Sequence, residues 1–176
     1  MAKCAILYKS KYGSTRQYAE WIAEETQGDL FVLPKVTAAQ LADYETLIIG
    51  GGLYAGQVSG ISFLKKNFEA LKTKKLIVFS VGASFDNEET VEKMKKENFP
   101  PEMWNSITFF HLHGALNYSA MNFFDRTLMK ILVSSFKKKP PEERNAQMQY
   151  MIDTFGQNTI SLNRDFIKPI VEAAKN

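Results

Sequence analysis

The chain of 176 residues contains a single cysteine, Cys4. One cysteine excludes an intramolecular disulfide, and it also excludes any metal or cluster site that needs several cysteine ligands. No apolar run is long enough to span a bilayer, and the N-terminal segment lacks the charged-then-apolar pattern of a signal peptide. We therefore expect a cytoplasmic protein in which Cys4 is a small core residue.

An excess of one charge is also missing, because 22 basic residues face 19 acidic ones, for a net charge of +3. This charge is too small to indicate a nucleic-acid partner. Six prolines and ten glycines exclude proline-rich and collagen-like architectures. What is present is an ordinary globular composition, with 45% hydrophobic and 23% charged residues. Such a chain can bury a core, and we expect one domain over residues 1–176.

Short apolar runs alternate with amphipathic stretches over the first 113 residues, a pattern typical of a parallel sheet covered by helices. The predicted strands are residues 4–8, 29–33, 46–49, 75–81 and 107–112. The predicted helices among them are residues 15–26, 61–71 and 91–97. Ser14, followed three residues later by Gln17, predicts a capping box at the start of the first helix. The sequence therefore predicts an α/β, doubly wound fold.

The loop after the first strand is rich in hydroxyl groups and leads directly into a helix. Its residues are Ser10, Lys11, Tyr12, Gly13, Ser14 and Thr15. The three hydroxyls, the backbone N–H groups and the positive end of the helix dipole would converge on one point, and the glycine permits the turn. This combination predicts a phosphate cradle. It has neither the spacing of a nucleoside triphosphate loop nor the Gly-x-Gly-x-x-Gly motif of dinucleotide sites.

Two further loops, which follow the third and fourth strands, are rich in small residues. The first loop contains Gly50, Gly51, Gly52, Leu53, Tyr54, Ala55 and Gly56. The second contains Val81, Gly82, Ala83, Ser84, Phe85, Asp86 and Asn87. Glycines let a backbone approach a flat ligand closely, and Tyr54 offers a ring that can stack on it. Because ligands of doubly wound sheets bind beyond the carboxyl ends of the strands, we expect the three loops to form one site.

In these three loops the sequence resembles the flavodoxin family. The resemblance covers about residues 3–113. It implies a five-stranded parallel sheet of order 2-1-3-4-5, with flavin mononucleotide (FMN) at the edge between the first and third strands. Carried over by position, residues 10–15 would bind the phosphate, and residues 52–56 and 82–85 would flank the isoalloxazine ring. The flavin carries the redox chemistry in such proteins, and we find no catalytic triad or carboxylate pair.

Residues 114–176 form an added segment after the fifth strand, with a predicted helical insertion. Residues 114–118 and 121–126 resemble the menaquinone-dependent protoporphyrinogen oxidase branch of the family, in which a long insertion stands at this point. A polar row that recurs every four residues predicts an amphipathic helix over residues 119–136 with a wide apolar face. Asp125 and Arg126 are adjacent and are not expected to pair. A closing helix is predicted near residues 164–174, although Pro169 lies within it.

Three interpretations of the apolar face are open: packing against the core, contact with a partner or a second copy, and contact with a membrane surface or an organic substrate. Lys137, Lys138 and Lys139 end this helix, where cations are favourable toward the helix dipole and would also suit an anionic membrane. His111 and His113 lie two residues apart on one strand, which is compatible with a metal pair. Since no third ligand follows nearby, we expect them to serve packing.

The sequence therefore predicts an FMN-binding redox protein of the electron-transfer or oxidoreductase class. One form is a carrier that docks on redox partner proteins. Another is a protoporphyrinogen oxidase-like enzyme that uses a quinone acceptor and a cover over the flavin. A non-redox module whose insertion recruits a partner is the third hypothesis. For the protein in general, residues 119–139 offer a contact for a peripheral membrane surface or for a homodimer. A phospho-receiver domain is excluded because Lys9, Ser10, Gly50 and Gly51 stand where aspartates would be needed.

Overall fold

The computed structural model describes residues 3–83, 87–159 and 162–176. In these ranges the strands are β1 (Cys4–Lys9), β2 (Asp29–Val32), β3 (Thr46–Tyr54), β4 (Gln57–Val58), β5 (Lys75–Gly82) and β6 (Ile107–His113). All but β4 are parallel and lie in the order β2-β1-β3-β5-β6. Since β5 and β6 are the fourth and fifth predicted strands, the predicted order 2-1-3-4-5 is confirmed. The sequence pattern does not predict β4, which pairs antiparallel to the end of β3.

The helices of the described ranges are α1 (Ser14–Thr26), α2 (Ser62–Leu71), α3 (Glu88–Asn98), α4 (Phe123–Lys137), α5 (Ala146–Asp153) and α6 (Lys168–Lys175). α4 begins later than predicted because Asn122 is extended and its side chain accepts a hydrogen bond of 2.8 Å from the N–H of Asp125, which caps the helix. Pro169 lies in the first turn of α6, where its missing N–H is not needed. α5 lies in a polar segment that carries no helical signal in the sequence.

Alternate residues of the strands face two separate hydrophobic cores. Ile6, Ile48 and Ile77 belong to the core that also contains buried residues of α1 and α6. Leu7 and Ile49 belong to the other core, which contains buried residues of α2 and α3. Since helices cover both faces of the sheet, the predicted doubly wound architecture is confirmed. α6 lies far from the strands in sequence, yet it returns to pack on the sheet beside α1.

The register of the strands brings the three predicted loops to one edge of the sheet. Lys9, at the end of β1, pairs with Gly51 of β3. Gly52 of β3 pairs with Val81 of β5. In the ladder between β5 and β6, Gly82 pairs with His113. The carboxyl ends of β1, β3, β5 and β6 therefore lie side by side, where ligands of doubly wound sheets bind.

α4 stands apart from both cores. It packs against α5, and Val133 is its buried residue. Five of its large apolar side chains are exposed, namely Phe123, Phe124, Leu128, Ile131 and Leu132, whereas Met129 and Phe136 are half-buried. The predicted wide apolar face is therefore present, but packing against the core is the wrong interpretation for these five side chains. None of the helices in the described part of the chain has the length and apolar character that a bilayer crossing requires.

Candidate functional site

The turn after β1 presents free backbone donors at the start of α1. Gly13 occupies the capping position with a φ of +99°, and its carbonyl accepts the first helical hydrogen bond from Gln17 at 2.9 Å. The N–H groups of Ser14, Thr15 and Arg16 precede that bond, and no side chain caps them. The predicted capping box is therefore wrong, because Ser14 is already helical. Its hydroxyl instead accepts a hydrogen bond of 3.4 Å from the N–H of Ala115.

The hydroxyl groups predicted for a phosphate cradle gather at this turn. Ser10 Oγ accepts a hydrogen bond of 3.1 Å from the N–H of Gly13, so its own proton points elsewhere. Ser14 is half-buried and Thr15 is buried. The first turn of α1 contains no acidic residue, and a side chain at Gly13 would meet no atom within 4 Å. The turn therefore combines hydroxyls, free amides and the positive helix end around open space.

Lys11 and Tyr12 contact the insertion. The Lys11 ammonium and the Tyr12 hydroxyl both donate to one carboxylate oxygen of Asp125, in the first turn of α4. These two hydrogen bonds, that from Lys11 first, hold the pKa of Asp125 below its usual value, and the same contact raises the pKa of Lys11. Asp125 does not pair with Arg126, as expected. The Arg126 guanidinium instead donates to the carbonyls of Tyr118 and Ser119.

The glycines at the end of β3 have two different roles. Gly50 and Gly51 lie inside the strand, which continues to Tyr54 rather than ending at residue 49. A Cβ at Gly50 would lie 2.1 Å from the Phe79 ring, and one at Gly51 would lie 1.9 Å from the Ser59 carbonyl oxygen. These two glycines are therefore explained by close packing within the protein. The idea that they admit a flat ligand is wrong for both positions.

The rest of the second loop is a tight hairpin between β3 and β4. Ala55 and Gly56 form its two-residue turn with φ angles of +48° and +80°, and Tyr54 pairs with Gln57 across it. The Tyr54 ring folds back over Gly52, where an added Cβ would lie 2.8 Å from it. Burial raises the pKa of Tyr54, although 39% of the residue remains exposed. The ring lies 5.9 Å from the Lys11 ammonium, so the hairpin and the first loop are neighbours.

The third loop joins the same edge through its first two residues. Gly82 ends β5 beside Leu53, where an added Cβ would lie 3.1 Å from the Leu53 Cβ. The Gly82 carbonyl accepts a hydrogen bond of 2.8 Å from the N–H of Gly114, the first residue of the insertion. Ala83 follows directly. The predicted site residues Ser84 and Phe85 lie outside the described residues.

The two histidines of β6 contact other side chains. His111 Nδ1 lies 2.7 Å from Ser80 Oγ in the buried sheet. The His113 ring packs edge-on against Tyr150, with centroids 6.2 Å apart. Within the part of the chain that the structure describes, no three His, Cys, Asp or Glu side chains are grouped as metal ligands. Cys4 is buried in the core as expected, and burial raises its pKa to about 11.

A family model described as a flavodoxin domain matches residues 5–143. The chain belongs to the flavodoxin domain family. A Leishmania major protein named protoporphyrinogen IX dehydrogenase (quinone) is 26% identical over an alignment of 143 positions that covers 74% of this chain and 62% of that protein. The chain thus spans less than two thirds of that relative. A Methanocaldococcus jannaschii protein is 28% identical over an alignment of 150 positions that covers 77% of this chain and 99% of that protein.

Solved structures with similarity to the chain include flavodoxins. A flavodoxin from the domain Archaea is 14% identical, with a TM-score of 0.48 and 99% of each chain covered. The two-electron reduced flavodoxin of Megasphaera elsdenii is 13% identical, with a TM-score of 0.44, covering 62% of this chain and 85% of that one. The match of residues 5–143 to the flavodoxin domain model confirms, at the level of the family, the resemblance that the loops indicate in the sequence.

Membership of the flavodoxin domain family makes this chain an FMN-binding redox protein, so the predicted cofactor is confirmed. The donor set at the turn after β1 fits the phosphate of such a ligand, because hydroxyls and uncapped amides surround open space. When bound, FMN supplies the transfer of electrons, and the protein supplies anchoring and a defined environment.

Two residues, Asp125 and Asn98, contact the loops at this edge of the flavodoxin domain although no pattern in the sequence predicts these contacts. Asp125 reaches the first loop from the insertion. Asn98, at the end of α3, hydrogen bonds to the hairpin at Gly56 and Val58. Each contact spans 40 or more residues, and no local spacing rule finds it.

Proposed function

We propose that the chain is an FMN-dependent oxidoreductase that acts on an organic substrate with a large apolar part and passes the electrons to a quinone, as a protoporphyrinogen oxidase-like enzyme does. Each two-electron oxidation of the organic donor releases two electrons and two protons, and these reduce one quinone to a quinol. The relative named protoporphyrinogen IX dehydrogenase (quinone) supports this substrate class. The proposal extends to the acceptor, the substrate and the residues that hold the flavin.

In this proposal the protein anchors FMN through its phosphate. Ser10, Ser14 and Thr15 would hold the phosphate together with the uncapped amides at the start of α1. The flavin ring would lie between the hairpin of residues 52–56 and the end of β5 at Gly82 and Ala83. The predicted contribution of Ser84 and Phe85 to the same face stays a prediction. No protein side chain is required as a catalytic acid or base.

The observation that carries the enzyme proposal is the position of α4. Its first turn is tied to the phosphate loop through Asp125, while its outer side presents bare apolar side chains. Phe124 is 67% exposed and Ile131 is 62% exposed. A carrier that passes electrons between proteins needs only an exposed flavin edge. An apolar helix fixed at the mouth of the site is what an enzyme for a substrate with a large apolar part requires.

A cleft beside α4 adds a second reason to expect an organic substrate with acidic groups. Its volume is about 430 Å³, and it is lined by Tyr118, Ser119, Arg126, Lys130, Phe155, Gly156 and Asn158. Two cationic and two aromatic side chains thus line the cleft. This combination favours an organic molecule that carries carboxylates, as porphyrinogens do.

The experiment compares two double variants of α4. Phe124→Ser with Ile131→Ser removes the exposed apolar face, whereas Thr127→Ser with Ser134→Ala changes exposed polar positions of the same helix. Each protein is loaded with FMN, and turnover is measured with a porphyrinogen donor and a soluble naphthoquinone acceptor. Because each buried apolar side chain contributes about 1.5–3 kcal/mol, kcat/KM should fall more than about tenfold in the first variant only. FMN binding should be equal in both.

Two outcomes would contradict the enzyme proposal. Full turnover by the Phe124→Ser, Ile131→Ser protein would show that this face does not meet the substrate. A wild-type protein that reduces a one-electron haem protein but turns over neither quinone nor porphyrinogen would be a carrier. Biological activity that persists after loss of FMN would instead favour the non-redox module.

We further propose that α4 docks on an anionic membrane surface, where quinones reside. Its exposed apolar side chains lie next to three consecutive lysines, Lys137, Lys138 and Lys139. Apolar burial together with attraction to anionic lipids is what holds an interfacial helix. Co-sedimentation with phosphatidylcholine vesicles that contain phosphatidylglycerol tests the contact.

Changing residues 137–139 to glutamine should weaken vesicle binding at least about tenfold, since each lysine contributes about 1 kcal/mol near such a surface. The matched control changes Lys93, Lys95 and Lys96 of α3 to glutamine and removes the same charge elsewhere. Equal loss in both triple variants would make the effect one of net charge alone. A dimer in light scattering that dissociates on Ile131→Ser would assign the face to a second copy instead.

A further inference from the structure

Asn98 is a buried polar residue whose side chain makes all of its hydrogen bonds inside the protein. It is the last residue of α3 and only 1% exposed. Its Oδ1 accepts from the N–H of Val58 at 2.9 Å. Its Nδ2 donates to the carbonyls of Gly56 and Met94, both at 2.9 Å. A buried amide is costly unless it is fully bonded, so these contacts fix the side chain in one orientation.

Besides Asn98, the hairpin has a short ladder with β3 and one side chain in the core, that of Val58. β4 contains two residues, and a two-stranded ribbon of this size is not stable by itself. Ala55 adopts a φ of +48°, a region that costs a residue with a Cβ about 1 kcal/mol. Asn98 bonds to the hairpin on both sides of Gln57, at the Gly56 carbonyl and at the Val58 N–H. It therefore fixes the path of the chain through the turn.

We propose that Asn98 is a positioning residue for the flavin ring, acting through the hairpin of residues 54–58. The hairpin sets the position of the Tyr54 ring over Gly52 and of Leu53 beside Gly82. Those groups stand at the edge of the sheet where the ring would lie. The inference rests on the proposed placement of the ring, and it assigns to α3 a role that the three loops alone do not suggest.

Asn67 of α2 offers a matched control. Its Nδ2 donates to the carbonyl of Phe63 at 2.8 Å, four residues earlier in the helix. Asn98 makes the same kind of bond to Met94. The two asparagines differ in the hairpin contacts, which the structure shows for Asn98. Asn98→Ala and Asn67→Ala therefore both remove a helical bond, and Asn98→Ala removes the hairpin contacts as well.

The first measurement needs no flavin. Hydrogen exchange of the peptide that contains residues 54–58 is followed in the flavin-free protein. Loss of a buried hydrogen bond should speed exchange at the Val58 amide about tenfold in Asn98→Ala and leave it unchanged in Asn67→Ala. Asn98→Ser is the second variant, because it also breaks the hairpin contacts but, unlike aspartate, sets no buried carboxylate against the Gly56 and Met94 carbonyls. It serves if Asn98→Ala fails to fold.

The second measurement separates the ring from the phosphate. FMN and riboflavin share the isoalloxazine ring, but riboflavin lacks the phosphate. Asn98→Ala should weaken binding of both by the same factor, about tenfold, and should shift the visible absorbance and the midpoint potential of bound FMN. Ser14→Ala should weaken FMN and leave riboflavin unchanged. Asn67→Ala should match the wild type in every measurement.

Three results would overturn the proposal in different ways. Wild-type exchange at the hairpin of folded Asn98→Ala would show that Asn98 does not hold the turn. Faster exchange with unchanged flavin affinity and potential would show that the turn does not position the ring. A wild-type chain that binds neither FMN nor riboflavin would remove the proposed function and the flavin role of Asn98 together, while the exchange rates would still decide whether Asn98 holds the hairpin.

Discussion

Asp125 of α4 forms an ion pair with Lys11, the second residue of the loop after β1, across 114 residues of sequence. Tyr12 donates to the same carboxylate oxygen. One carboxylate thus ties the turn proposed to hold phosphate to the helix with the exposed apolar face. Because a carboxylate and a phosphate are both anions, they would compete for the Lys11 cation. Ligand binding at the turn and the position of α4 should therefore be coupled.

Asp125→Asn should tighten the binding of FMN. The change removes a negative charge beside the phosphate loop and frees Lys11 from its ion pair. Since Lys11 is partly exposed, we expect a modest gain of about threefold in affinity at low salt, which disappears near 1 M salt. Isothermal titration measures both values. Riboflavin affinity should not change, because riboflavin carries no phosphate.

The control for this change is Asp153→Asn, at an exposed aspartate of α5 that contacts Gln149. It removes the same charge from the protein at a different place. Equal tightening in both variants would assign the effect to net charge. Weaker FMN binding in Asp125→Asn would show that the ion pair, by anchoring α4, adds more to FMN affinity than the repulsion between Asp125 and the phosphate removes. This result would contradict the predicted competition for Lys11.

Gly13→Ala should weaken FMN binding through the backbone alone. A Cβ at Gly13 would meet no atom within 4 Å, but the φ of +99° is unfavourable for a residue with a side chain. We expect a loss of about 1–2 kcal/mol in the free energy of unfolding, measured by urea denaturation, and weaker FMN binding because the amides at the start of α1 shift.

Gly156 is the matched control, since it has a φ of +82° and equally open surroundings. Gly156→Ala should cost similar stability and leave FMN binding unchanged, because Gly156 follows α5 and lines the cleft beside α4, whereas Gly13 lies at the start of α1. If both variants lost FMN affinity alike, the effect would come from global destabilisation, and the turn at Gly13 would have no special role.

The parts that the sequence predicts well are those with local patterns. Buried parallel strands read as continuous apolar runs, so Leu76 to Phe79 identifies β5. The hydroxyl-rich loop of residues 10–15 can also be recognised from the sequence, because its residues are neighbours along the chain. The sequence does not predict which residue caps α1, because Ser14 and Gly13 are both favourable at an N-cap position. The choice between them depends on where the chain enters from β1.

Features of the fold and the site that depend on contacts between residues far apart in sequence cannot be predicted from local patterns. A glycine run looks the same whether it admits a ligand or a neighbouring side chain, and the Phe79 ring decides the matter for Gly50. Asn98 resembles any polar residue at a helix end, and its role follows only from its bonds to Gly56 and Val58. Similarly, the apolar face of α4 is predicted by its spacing, but its exposure is set by the tertiary packing.

Ile131→Ala and Ile170→Ala should differ strongly in stability although the chemical change is the same. Ile170 of α6 is fully buried against the sheet, whereas Ile131 of α4 is largely exposed. We expect a loss of about 2–5 kcal/mol for Ile170→Ala and within about 0.5 kcal/mol for Ile131→Ala. Urea unfolding measures both values. A large loss at Ile131 would mean that the apolar face is covered in the free protein.

Cys4 should react slowly with thiol reagents in the folded protein. Burial raises its pKa to about 11, more than the hydrogen bond with Thr26 lowers it, so the nucleophilic thiolate is scarce at pH 8. Labelling by a disulfide reagent should therefore be slow in buffer and complete within minutes in urea. Fast labelling of the folded chain would place Cys4 at an accessible position, against its burial in β1.

The same shift in pKa predicts how stability changes with pH. The folded pKa of Cys4 lies above the unfolded value near 9.0, so the unfolded chain loses its proton first as pH rises. This contribution is complete below about pH 9 and declines between about pH 9 and 11. Because tyrosines titrate in the same range, the measurement is the difference between the wild type and Cys4→Ala. The free energy of unfolding of the wild type should fall more steeply than that of Cys4→Ala above pH 9, and parallel curves would contradict the raised pKa.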